Sequence, residues 1–144
     1  MTPAIWGYLY VGLLITVTVA VLWIGDRETR ISIVTVFLLS ASTLATVILS
    51  GDYWTEANPI IIAIDLAALV VFLNRAFVSR RHWPTTIASL QMVVCITHAM
   101  RLIAADIFYD VYSAAQGFWS YPQILIILLA AIFHHRHNRH REDL

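Results

Sequence analysis

With 144 residues, 60% of them hydrophobic and only 12% charged, and a mean hydropathy of +0.76, the chain lies far from a soluble domain, whose residues are charged at roughly one position in four. A formal net charge of zero excludes a global field that would steer nucleic acid or acidic partners, and no basic domain surface exists to bind nucleic acid. The single cysteine, Cys95, excludes an intrachain disulfide and is expected to be a buried, inert thiol.

A bilayer core takes about 20 apolar residues in helix, and five runs fit, over 5–24, 31–50, 59–77, 84–105 and 118–134. The first lacks the basic n-region and small-residue cleavage pattern of a secretory signal and is too long for its apolar part, so it is expected to stay as a membrane helix. The second carries Ser42, Thr46 and Ser50 at intervals of four beside Ala41 and Ala45, a small-residue face that lets another helix approach closely, in the bundle or in a neighbouring subunit. The third contains one acid, Asp65, and the fourth contains Gln91, His98 and Arg101. Between the fourth and fifth, 106–116 has the pattern of a short surface helix or a plain loop.

Punctuation agrees with this division. Pro3, Pro59, Pro84 and Pro122 fall at span starts, where a missing N–H costs nothing. Thr2, Asn58 and Ser120 are capping candidates, and Gly25 and Gly51 stand where left-handed C-caps are expected. Arginines mark the loops that stay inside: Arg27 and Arg30, then Arg75, Arg80 and Arg81, then Arg136, Arg139 and Arg141. The two remaining loops hold acids and aromatics such as Tyr53, Trp54, Phe108, Tyr109 and Tyr112, which would suit an outside partner. The predicted fold is all-α, a polytopic transmembrane helical bundle in one domain, with the N-terminus outside and the C-terminus inside a bacterial inner membrane.

On the fourth span Gln91, Cys95, His98 and Arg101 recur at helical spacing and form one polar stripe, which must turn away from lipid. Asp65 and Arg101 come to similar depths on neighbouring antiparallel spans, so an Asp65–Arg101 ion pair with His98 beneath it is expected. That cluster reads first as a staple between helices. Its alternative is a proton or cation site, since an intramembrane histidine beside an acid can carry a proton, with Gln91 and Asn74 as the only obvious polar positions leading inward.

The tail "HHRHNRHR" offers His134, His137 and His140, with His82 from another inner loop, as metal donors. Interleaved arginines repel a cation and no cysteine or carboxylate completes the set, so no metal is expected; Arg136, Arg139 and Arg141 read instead as an anchor to anionic headgroups. Haem needs a second deep ligand besides His98, and no cofactor is expected. Asp65, His98 and Asp106 follow no catalytic spacing, and phosphate loops, dinucleotide fingerprints and zinc-protease motifs are absent, so the chain is not expected to be an enzyme. The expected role is a small non-catalytic membrane protein, acting as a homo-oligomer or a subunit of a larger membrane complex, with lipid, itself or other membrane subunits as partners. A small proton or cation channel or carrier built on Asp65, His98 and Arg101 is the alternative.

Overall fold

The computed structural model describes residues 3–50, 58–103 and 118–142, and only the backbone of 3–6, 50, 101 and 139–142. The described residues form five α-helices: α1 (Pro3–Ile24), α2 (Arg27–Ser50), α3 (Pro59–Val78), α4 (Trp83–Ile103) and α5 (Ser120–Glu142). Three are long and apolar enough to cross a membrane, through Gly7–Ile24, Arg27–Leu49 and Pro59–Val78. At 21 residues, α4 is about 31 Å long and matches a bilayer core in length, but Gln91, His98 and its hydroxyl residues dilute its hydropathy. The C-terminal part of α5, from His134, is polar throughout. The segment 106–116, together with Thr2 and Gly51, lies outside the described residues.

Local chemistry fixes the helix ends. Asn58 Oδ1 accepts the Ile60 N–H at 2.9 Å, and Pro59 opens α3 where no N–H is required. The second helix starts at Arg27 rather than near residue 31, because Asp26 caps it: Asp26 Oδ1 accepts the Thr29 N–H at 3.1 Å. Gly25 does not adopt a left-handed cap. Its backbone N–H continues the α1 ladder to the Val21 carbonyl at 2.8 Å, and glycine is needed for space, since a Cβ there would meet that carbonyl oxygen and the Thr29 hydroxyl.

Only Gly25 and Asp26 separate α1 from α2, and only residues 79–82 separate α3 from α4, so each pair turns straight back on itself. Contacts run round a closed ring, α1 to α2, α2 to α3, α3 to α4, α4 to α5 and α5 to α1, while α2 and α5 also touch across the middle. Tyr10, early in α1, stacks edge-on against Tyr121, early in α5, at 5.2 Å, so these two helices run the same way. The core is a layer of Val21, Ile33, Val36, Phe72, Ile87, Ile124 and Ile127, each under 2% exposed, with smaller neighbours such as Ala68 and Ala88 beside them. The outside is apolar as well: Leu49, Phe77 and Trp23 are each more than 80% exposed, which is the pattern of a surface solvated by lipid.

Candidate functional site

The inward stripe of α3 is Ile61, Asp65, Ala68 and Phe72, at steps of four, three and four, which places one carboxylate among apolar neighbours. The facing stripe of α4 is Ile87, Gln91, Val94 and His98. Cys95 sits at the edge of that stripe, half-buried rather than fully buried as its sequence context suggested.

Asp65, Gln91 and His98 meet between α3 and α4. His98 Nε2 lies 2.8 Å from Asp65 Oδ2, and Gln91 Nε2 donates to Asp65 Oδ1 at 3.0 Å and to the Asp65 carbonyl at 3.2 Å. Gln91 Oε1 then accepts from Gln123 Nε2 of α5 at 3.0 Å. A single chain of hydrogen bonds therefore runs His98, Asp65, Gln91, Gln123 through three helices, and all four residues are 6% exposed or less. Each carboxylate oxygen has a donor, and an acid at this depth needs that. The side chain of Arg101, the expected partner of Asp65, lies outside the described residues. Asn74 faces outward, away from the chain, and does not extend it.

Gln123 was missing from the sequence reading. Its signal was present, since one amide directly after Pro122 in an otherwise apolar run must either face another polar group or pay the full cost of desolvation. A second polar contact ties α1 to α2, where the Tyr10 and Ser40 hydroxyls meet at 2.7 Å.

The opposite end of the bundle carries an ion-pair network. Arg81, from the α3–α4 link, bonds Asp26 Oδ2, approaches Glu28 at 3.9 Å and reaches His134 Nδ1 of α5 at 3.5 Å. Glu28 also takes the Ser79 hydroxyl at 3.0 Å and lies 3.7 Å from Arg75. Burial raises the Asp26 carboxyl, but the Thr29 backbone N–H, the Thr29 hydroxyl and the Arg81 charge outweigh it and hold the group below its ordinary value.

Of the histidines considered as metal donors, His134 has both ring nitrogens engaged, Nδ1 by Arg81 and Nε2 by Asn138 at 3.1 Å, while His82 and His137 are exposed. The side chains of His140, Arg139 and Arg141 lie outside the described residues, as does Asp106, and Arg136 is exposed on α5. No three metal-ligating side chains gather among the described residues.

Grooves open on the surface of the described residues. One of 480 Å³ lies between α1 and α2, walled by Ile15, Val19, Leu22, Val34 and Phe37 with the unpartnered Thr18 hydroxyl. Another, of 300 Å³, lies between α2 and α3 and includes Ser42, Ala67 and Ala68. Neither is lined by Asp65, Gln91, His98 or Gln123. Comparison with family models, with curated proteins and with solved structures finds no match to this chain.

Proposed function

We propose that the chain is a five-span protein of a bacterial inner membrane, N-terminus outside and C-terminus inside, working non-catalytically as a homo-oligomer or as a subunit of a larger membrane complex. The observation that supports this most is the buried chain of hydrogen bonds that joins three helices. His98 and Gln91 each bond one Asp65 oxygen and Gln123 bonds Gln91, so the chain ties α3, α4 and α5 together through buried polar side chains. The alternation of arginine-bearing and arginine-free links supports the orientation, and the length of α4 supports a fourth crossing. Assembly is supported by the outward-facing Ala41, Ser42 and Ala45 on α2, next to the 300 Å³ groove.

A double-mutant cycle tests the staple. If Asp65 and His98 act as a unit, Asp65→Ala with His98→Ala lowers thermal stability in mild detergent by little more than the worse single change. Losses that add would contradict a shared role.

One observation favours transport instead: the chain of polar groups extends over α3, α4 and α5 rather than ending at one pair. In that reading His98→Ala abolishes proton or cation flux in proteoliposomes while leaving the fold intact, and undiminished flux removes it.

A further inference from the structure

Asp26 and Glu28, at the arginine-bearing end, are both engaged within the bundle. Asp26 is held by Thr29 and Arg81, and Glu28 by Ser79, Arg75 and Arg81. Their charge is spent inside the bundle on Arg75 and Arg81. Four other arginines, Arg27, Arg30, Arg80 and Arg136, are exposed and form no ion pair with a described acid. They gather at one end of the bundle, because Arg81 touches Asp26, beside Arg27, and His134, two residues before Arg136, while Arg80 is its own neighbour.

A regular spacing accompanies them. Near the end of α1, near the end of α3 and on α5, an exposed aromatic precedes an exposed arginine by three or four residues: Trp23 before Arg27, Phe77 before Arg80, and Phe133 before Arg136. Phe133 and Arg136 share α5, where a 1.5 Å rise sets them about 4.5 Å apart along the axis, while Arg27 and Arg80 follow the ends of α1 and α3, past the aromatics on those helices.

We propose that this end is a collar for anionic phospholipid headgroups, in which Arg27, Arg30, Arg80 and Arg136 take lipid phosphates and Trp23, Phe77 and Phe133 lie against the adjoining acyl chains. Charge complementarity selects the occupant: a guanidinium binds a phosphate diester in bidentate fashion, and an anionic leaflet concentrates that group beside exposed apolar side chains. A soluble phosphate lacks the acyl chains that the three aromatics meet. The collar requires the chain to lie in a membrane but is independent of its oligomeric state, and it extends the basic tail to two further elements.

Spin-labelled lipid partitioning tests it on the purified assembly in phosphatidylcholine vesicles. Phosphatidylglycerol is expected to associate about fivefold more strongly than phosphatidylcholine, and the preference to fall toward unity in about 0.5 M salt. It should also be lost when Arg27, Arg30, Arg80 and Arg136 are all changed to Gln, and persist in millimolar glycerol phosphate. Equal association of the two lipids with the unaltered protein overturns the collar, as does a preference that survives the four changes. Abolition by glycerol phosphate assigns the arginines to a soluble anion instead, which also overturns it. Should the fourfold variant fail to assemble, the lipid preference of the unaltered protein and its salt dependence decide the matter.

Discussion

Removing the Asp65 carboxylate takes the partner from His98 Nε2 and leaves the Gln91 amide only the Asp65 carbonyl, and both residues are 2% exposed or less. Asp65→Ala is therefore expected to cost about 3 to 5 kcal/mol of unfolding free energy, read by thermal or denaturant unfolding in detergent. Gln123→Ala removes one neutral bond at the end of the chain and should cost about 1 to 2 kcal/mol. Gly25→Ala is expected to destabilise by about 1 to 3 kcal/mol, because the added methyl meets the Val21 carbonyl and the Thr29 hydroxyl inside a tight turn. Asp26 gives a pH signature. Its carboxyl is held below the ordinary value of 3.8, so its contribution is complete above that value and is lost as pH falls through the lower folded value. The stability difference between the unaltered protein and Asp26→Asn should thus be constant near neutrality and shrink only below about pH 4, as an acid titration of melting temperature would show.

At the scale of elements, helix existence and spacing were legible from apolar run length and from proline placement, because both are local signals. Pro59 and Asn58 open α3 where the sequence placed them. The start of α2 was not seen, since Arg27, Glu28 and Arg30 look like loop residues until Asp26 is recognised as a cap. The facing of helices was harder to read. A period of 3.6 placed Gln91 and His98 on one stripe and depth brought His98 toward Asp65, but neither gave a reason to connect Gln91 with Gln123 on a helix 32 residues away. The ion-pair network was missed for the same cause: the sequence counted the arginines of each link but not the acids, Asp26 and Glu28, that the fold turns toward Arg75 and Arg81. That network joins the α1–α2 link, the α3–α4 link and α5. Arg81→Ala should loosen all three together, raising amide exchange across the two links and the last turns of α5 relative to the bundle core.

For the whole molecule, the five helices of the described residues form a ring with an apolar core and an apolar exterior, and three of them are long and apolar enough to cross a membrane, the pattern of a surface solvated by lipid. Orientation is checked by labelling with a membrane-impermeant thiol reagent in a Cys95→Ala background. Thr55→Cys is expected to react in intact cells and His82→Cys only after permeabilisation, and the reverse pattern would invert the proposed topology. The proposal that the chain works in an assembly is met most directly by the mass of the particle extracted in mild detergent or native nanodiscs. The proposed assembly predicts a multiple of 16.3 kDa, or a particle containing other membrane subunits, whereas a lone 16.3 kDa chain that keeps its fold would contradict it.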